Sequence, residues 1–450
     1  MNIATIIEQQ KIFFHSNQTK EISFRISQLK KLKQILKQNE AQIYQALEKD
    51  LGKPKFESYL TELSILYSEL NFFIKNIKKL SKPQKVATNL ANLPAKSYRI
   101  PEPLGTILVI GAWNYPLQLA LLPVLSALAT GNTVVLKPSE LAPYTSQIIA
   151  DLINSNFDKN YFYVYQGGVA ETTELLSYRF DKIFFTGSSE VGRIVYRAAA
   201  KYLTPVTLEL GGKSPAFVFA DCDLEVTAKR LVWAKCLNAG QTCVAPDYVL
   251  VEKSIETAFC EAIKSEMQQR YLNSQVKIIN EKHLERVINL IDKEKVFYGG
   301  EINRQNCAIS PTILTNVSFN DEIMQQEIFA PVLPIITFED LDQTITQVKQ
   351  YEKPLSCYIF CKNKQITTRL LNEISFGGGA INDALMHLSN HHLPFGGVGF
   401  SGMESYHGKA GFECFSHYKS ILEKPFWFES DLKYPPYTTL KQKILRWITK

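Results

Sequence analysis

Between residues 20 and 80 apolar side chains return at helical spacing: Ile26, Leu29, Leu32 and Leu36, then Leu63, Leu66, Leu70 and Phe73. Steps of three and four put such residues on one face, which predicts two or three amphipathic helices. The rhythm changes after a polar, proline-marked stretch at Lys82-Pro83 and Leu93-Pro94. Short apolar runs closed by glycine or proline follow, at Thr106–Ile110, Thr133–Leu136, Tyr161–Tyr165 and Lys182–Phe185, with helical segments between them. Strands alternating with helices predict a parallel, doubly wound sheet, the architecture of a nucleotide site. A second alternation, Pro215–Phe219, Val249–Val251, Thr312–Leu314, Leu333–Phe338 and Leu355–Phe360, predicts a second α/β unit. The longest apolar stretch, Leu117–Ala129, is broken by Gln118, Pro123 and Ser126. It falls short of the ~18 uninterrupted residues of a membrane span and predicts a buried helix.

Length agrees with this division, since 450 residues allow two or three domains at about 150 residues each. The net charge of +6 is carried by dispersed lysines, without a basic block interleaved with aromatics, so nucleic acid is not an expected partner. Cysteines at 222, 236, 243, 260, 307, 357, 361 and 414 form no CxxC pair and no dense framework. Neither a disulfide scaffold nor a metal site is expected. The start, Met1–Glu8, breaks into charge before an apolar signal core of about 7–15 residues forms, so a cytoplasmic protein is expected. The basic segment from Thr439 to Lys450 contains Leu440, Ile444, Leu445 and Trp447. It either caps the fold or makes at most weak contact with an anionic membrane surface.

Candidate chemistry centres on Cys243, in Gly240-Gln-Thr-Cys-Val-Ala-Pro246, and on Glu209, in Leu208-Glu-Leu-Gly-Gly-Lys-Ser-Pro215. An ordinary free cysteine is a small buried hydrophobe, and Cys236 and Cys260 read that way. The bare, polar neighbours of Cys243 instead predict an exposed loop with a usable amide. A thiolate that forms a covalent intermediate and a carboxylate that activates water are sufficient to oxidise or hydrolyse a carbonyl compound. The run Lys182–Thr186 enters Gly187-Ser188-Ser-Glu-Val-Gly192 and then a helix, where free N–H groups suit a pyrophosphate. The spacing is not GxGxxG, and an ordinary tight turn accounts for it as well. Lys137 and Glu140 follow a strand at the edge where ligands of open sheets bind, or form a surface ion pair. Asn114, before Tyr115-Pro116, is either the cap of the following helix or a hydrogen-bond donor to a ligand.

Taken in order, Pro103–Pro116, Lys137–Glu140, Phe185–Arg193, Leu208–Pro215, Gly240–Pro246 and Gln326-Glu-Ile-Phe-Ala-Pro331 resemble the aldehyde dehydrogenase superfamily. The Trp-Asn-Tyr-Pro form of the Asn114 motif, Leu393–Gly399, Tyr406–Lys409 and Tyr434-Pro-Pro-Tyr437 are similar to its class 3 and fatty aldehyde dehydrogenase branch. The resemblance implies that Cys243 is the nucleophile, that Glu209 activates water, and that the Asn114 amide and the Cys243 N–H form an oxyanion hole. It implies further that Lys137 and Glu140 reach the adenosine ribose, Gly187, Ser188 and Gly192 the pyrophosphate, and Glu327 and Phe329 the nicotinamide end. NAD is the implied cofactor, with NADP accepted. The implied reaction takes a medium- or long-chain aliphatic or an aromatic aldehyde to the acid through a thioester, in a homodimer. A coenzyme A-acylating enzyme and a catalytically silent NAD-binding structural protein are the alternatives.

The implied fold is a Rossmann-like dinucleotide domain (1–81 and 103–208), an α/β catalytic domain (209–392), a small bridging β element for oligomerisation (82–102 and 393–430) and a tail (431–450). Two departures stand out. Glu404 occupies a position where relatives commonly carry glycine, and Phe400 replaces a small or polar residue, which bears on the substrate mouth. His407 reads equally as a pocket residue and as a satisfied structural histidine.

Overall fold

A computed structural model describes residues 2–271 and 276–449; residues 1, 272–275 and 450 of the spans above lie outside it. Helices Ile22–Gln38, Glu40–Leu51 and Ser64–Leu80 bury the residues of the helical stripe, Leu29, Leu32, Leu36, Leu66, Leu70 and Phe73 among them. A helix at Ile3–His15, unexpected from the sequence, is capped by Asn2 and buries Ile3, Ile6 and Ile7.

The first sheet runs, in spatial order, Gly402–Met403, Val206–Glu209, Lys182–Thr186, Thr106–Ile110, Thr133–Lys137 and Phe162–Val164. All neighbours are parallel except the Gly402–Met403 edge. From the central Thr106–Ile110 strand the chain winds first one way and then the other. That reversal creates the crevice in which open α/β sheets hold ligands. The strands from Thr106 to Thr186 are largely apolar because helices cover both faces, whereas Val206–Glu209 buries the polar Thr207 and Glu209. The Gln118–Thr130 helix is buried along its whole length.

The second sheet runs Val296–Tyr298, Thr312–Leu314, Val332–Phe338, Tyr248–Glu252, Pro215–Val218, Ser356–Phe360 and Gly378–Ile381. Only Val296–Tyr298 is antiparallel. A third, antiparallel sheet joins Gln84–Val86, Lys96–Pro103 and Ser416–Glu423.

Three details depart from the sequence reading. Val206–Glu209 is a strand of the first sheet, so Glu209 ends that sheet instead of opening the second unit. The 393–430 segment is divided: Gly402–Met403 adds to the first sheet, Gly408–Cys414 is a helix, and only Ser416–Glu423 joins the three-stranded sheet. Glu404 takes a left-handed φ of 68°, the conformation for which glycine is best suited. Its carboxylate receives hydrogen bonds from the buried Lys182 Nζ at 2.5 Å and from Thr207 at 2.6 Å, which supplies a reason for the charged side chain.

Candidate active site

Cys243 follows the helix Leu224–Cys236 and a tight turn at Leu237–Gly240. Asn238 and Ala239 hold left-handed φ values of 53° and 51°, and such non-glycine geometry costs on the order of 1–3 kcal/mol per residue. Gly240 is also left-handed, and a Cβ there would stand 2.3 Å from the Ala330 carbonyl oxygen. The turn is therefore wedged against the lead-in to the Val332–Phe338 strand. This corrects the expectation of an exposed loop: Gly240, Gln241 and Thr242 are buried, and Cys243 alone is partly open.

The polar neighbours of the thiol are consumed internally. The Gln241 amide donates to the carbonyls of Asn238 and Lys277, each at 3.0 Å, and its oxygen accepts from the Ile279 amide. Thr242 meets the Tyr115 hydroxyl at 2.5 Å. Tyr358 donates to the Val244 carbonyl at 2.6 Å.

Asn114 is not a helix cap. The helix begins at Gln118, and Glu62 accepts the free amides of Leu117 and Gln118 at 2.9 and 3.0 Å. Asn114 Nδ2 instead donates to the Gln241 carbonyl at 3.0 Å, which ties it to the thiol loop. Its own carbonyl accepts from Asn238 Nδ2 at 2.7 Å. Lys53, in a fully buried ion pair with Glu62 at 2.7 Å, lies 4.3 Å from the Tyr115 ring centroid. Glu62 is aimed inward by a widened, π-type helical turn at Tyr59–Leu63. Such turns recur at functional sites.

Glu209, at the end of its strand, is buried, and neither carboxyl oxygen has a hydrogen-bond partner. An unpartnered buried carboxyl is rare enough to need a reason. Burial drives its pKa well above the ordinary carboxylate range. The Cys243 thiol is also held well up, by burial first and then by the charges of Glu327 and Glu209, while its own backbone amide and that of Val244 oppose the shift. Burial thus works against ionisation of both groups. Cys236 and Cys260 are buried packing residues, and burial pushes the Cys236 thiol up to about 12.

The dinucleotide side occupies the carboxyl edge of the first sheet. Ser188 caps the Ser189–Ala200 helix by accepting from the Val191 amide at 3.3 Å. A Cβ on Gly192 would stand 2.8 Å from a Leu210 methyl, so this glycine lets the helix pack onto the chain after Glu209. Lys137 ends its strand with its side chain buried and ion-pairs with the half-exposed Glu140. It is thus more than a solvated surface pair. Phe400 lies on this side as well. Its ring sits 4.8 Å below the Arg193 guanidinium, and its carbonyl accepts from Ser189.

Glu327 and Phe329 belong to the loop before Val332–Phe338. A Cβ on Gly211 would fall 2.1 Å from a Glu327 carboxyl oxygen, so the carboxylate is seated on bare backbone two residues after Glu209. Burial, and secondarily Asp247, push the Glu327 carboxyl up to about 8. Phe329 takes a φ of 55° and packs edge-on to Trp113 with centroids 5.4 Å apart. A bare strand-to-helix turn, a helix N-terminus, a buried lysine beside a carboxylate, and a carboxyl cradled on glycine together fit a dinucleotide. Among the described residues no cluster of histidine, cysteine and carboxylate side chains is arranged to hold a metal.

A cavity of about 240 Å³ lies on the far side of the Gln118–Thr130 helix, lined by Ile65, Ser68, Glu69, Leu122, Leu388 and His407, among others. Glu69 accepts from the Gly408 amide at 2.7 Å, and burial pushes its carboxyl up to about 7. Burial pushes His407 down to about 3, and its Nε2 has no partner. His407 is thus a pocket residue, and not a satisfied structural histidine. Burial first, and then the charges of Glu209, Cys243 and Glu69, push the pKa of the neighbouring Tyr406 hydroxyl up.

Sequence reasoning missed Lys53, Glu62, Tyr115, Asn238 and Gln241, which build the back wall of the thiol site. The only signal was that Tyr115 and Gln241 lie within the quoted motifs, with no role given to them, and that Asn238 stands two residues before one.

Residues 2–421 match the family model described as the aldehyde dehydrogenase family. The 4,4'-diaponeurosporen-aldehyde dehydrogenase of Staphylococcus aureus is 46% identical over 96% of this chain and 97% of its own length. The dimeric NADP-preferring aldehyde dehydrogenase of Mus musculus is 43% identical over 97% of this chain and 98% of its own length. A solved substrate-bound state of Staphylococcus aureus AldH superposes with a TM-score of 0.97 at 45% identity, covering 100% of both chains.

Proposed function

The chain belongs to the aldehyde dehydrogenase family, and from that premise we propose how its own residues carry out the NAD(P)-dependent oxidation of an aldehyde to the carboxylic acid. The observation that carries the reading is the Glu209 carboxyl, buried without a partner beside the one partly open thiol of the Gly240–Pro246 loop. Glu209, when ionised, takes the Cys243 proton directly or through water and passes it to solvent, and the sulfur bonds to the aldehyde carbon. The carbonyl oxygen becomes an oxyanion held by the Asn114 amide and the Cys243 backbone N–H. Asn114 has two amide hydrogens, and the Gln241 carbonyl takes only one of them. The dinucleotide, when bound, supplies the hydride acceptor. Glu209 then takes a proton from water, whose oxygen attacks the resulting thioester carbon, and the Cys243 thiolate leaves. Burial raises both pKa values, so turnover increases with pH above neutrality.

Lys137 and Glu140 hold the adenosine ribose, Gly187, Ser188 and Gly192 frame the pyrophosphate turn, and Glu327 and Phe329 seat the nicotinamide end. A carboxylate at Glu140 favours NAD over NADP. The apolar walls at Ile65, Leu122 and Leu388 suit an aliphatic or aromatic tail. The dimeric relative supports a homodimer, and the exposed Val86, Leu90, Leu93 and Leu422, on or beside the three-stranded sheet, are the surface at which we place it. All eight cysteines are free, which fits a reducing cytoplasm.

Glu209→Gln tests the mechanism. The variant should release about one reduced cofactor per active site and stall as an acyl-enzyme. Undiminished steady-state turnover would remove Glu209 as the hydrolytic base.

A further inference from the structure

The loop that carries Glu327 and Phe329 is held by side chains the mechanism does not use. Arg286, on the helix Glu281–Leu290, donates to the Glu327 carbonyl at 3.1 Å, to the Ile328 carbonyl at 2.6 Å and to the Gln326 side chain at 3.2 Å. Asp247 accepts the Ile328 amide at 3.0 Å. Lys213, ion-paired with Asp247 at 2.6 Å, donates to the Gln326 and Ile323 carbonyls. The stretch from Gln326 to Ile328 thus has successive backbone groups fixed by three charged side chains from three distant segments. It leads directly into Phe329, whose left-handed φ would relax if the preceding residues were released.

The geometry points to Arg286 as a positioning residue for the cofactor: its guanidinium fork sets where the Glu327 carboxylate and the Phe329 ring stand. This rests on the reading of Glu327 and Phe329 as cofactor contacts. The fork shape is essential, because two consecutive carbonyls are engaged by different nitrogens, which a lysine ammonium cannot reproduce. The Arg286 charge also stabilises the ionised Glu327 carboxylate, as does that of Lys213, whereas burial and Asp247 oppose ionisation. The other groups that sense Glu327 are the Cys243 thiol and the buried Lys235 ammonium.

The test compares Arg286→Gln, Arg286→Lys and Glu327→Gln by equilibrium titration with NAD and by steady-state kinetics across pH. Arg286→Gln should weaken NAD binding and raise its KM about tenfold, the equivalent of about 1.4 kcal/mol, with a smaller change in kcat at saturating NAD. The acidic limb of NAD binding, where Glu327 gains its charge, should move to higher pH, because the cation that favours the Glu327 carboxylate is gone. Arg286→Lys should keep the pH limb but lose most of the affinity, and added guanidinium should restore binding to Arg286→Gln. Trp113 gives a readout without cofactor. Its fluorescence, isolated by subtraction of a Trp113→Phe variant, should change in Arg286→Gln as the Phe329 ring moves.

Wild-type NAD affinity and an unchanged Trp113 signal in Arg286→Gln, beside a Glu327→Gln variant that binds NAD poorly, would overturn the inference alone. A silent Glu327→Gln would overturn the reading of Glu327 and the inference with it.

Discussion

At the dinucleotide end, polar groups hang on the ends of regular elements: Lys137 closes a strand, Ser188 caps a helix, and Gly192 lets that helix pack. At the thiol end Cys243 and Asn114 hang on loops, and only Glu209 closes a strand. Cys243, Asn114 and Glu209 come from three segments; Asn114 and Asn238 hydrogen-bond across two of the loops, and the buried Lys53–Glu62 pair holds the chain after Asn114. The first arrangement uses dipoles and free N–H groups that any strand-to-helix turn offers. The second needs a strained turn and a buried ion pair, and it raises the pKa values of the groups that react. Binding can be built from generic backbone geometry, whereas chemistry here requires groups held away from water and away from partners.

The largest effect should come from Cys243→Ala, which separates the two ends completely. Aldehyde oxidation should disappear while NAD titrates as in the wild type, and Cys236→Ala should leave turnover nearly unchanged because that thiol is buried in packing. Comparable losses from both substitutions would show that the thiol end has been misassigned.

Glu140→Gln probes the opposite end at smaller scale. Losing a charge-assisted hydrogen bond should weaken NAD by about 1.5–3 kcal/mol. The ratio of kcat/KM for NADP over NAD should rise as repulsion of a 2′-phosphate is relieved. An unchanged ratio, with Lys137→Ala also silent, would place the adenosine elsewhere.

The smallest effect concerns stability at the cavity lined by Glu69 and His407. The folded-state pKa of Glu69 is raised to about 7 by burial, so the protein binds more protons folded than unfolded between the ordinary carboxylate range and that value. Stability is therefore lost as pH rises through this window. Glu69→Gln keeps an acceptor for the Gly408 amide and should flatten the fall in Tm between pH 5 and pH 8 by a few degrees. An identical slope in the variant would show that Glu69 titrates normally.

Legibility followed the same divide. Thr106–Ile110, Thr133–Leu136 and Lys182–Phe185 were visible as apolar runs because a strand covered on both faces must be apolar throughout. The helical stripe from Ile26 to Phe73 was visible for the corresponding reason at a period of 3.6. Val206–Glu209 was not, because Thr207 and Glu209 interrupt the apolar run with polar side chains that the fold buries. The loop before Cys243 misled for a related reason: Gln241 and Thr242 look solvated in sequence, but their partners, Lys277, Ile279 and Tyr115, are distant or on another element.

The sequence by itself determined the two α/β alternations, the family and the candidates for the chemistry, since each depends on residue type and local spacing. Tertiary structure alone decided that the Glu209 carboxyl is left without a partner, that Asn114 serves the thiol loop instead of capping a helix, and that Glu327 rests on Gly211. Those outcomes depend on which distant donors and backbones are brought within about 3 Å, and on desolvation by the whole surrounding fold, quantities that no local pattern encodes.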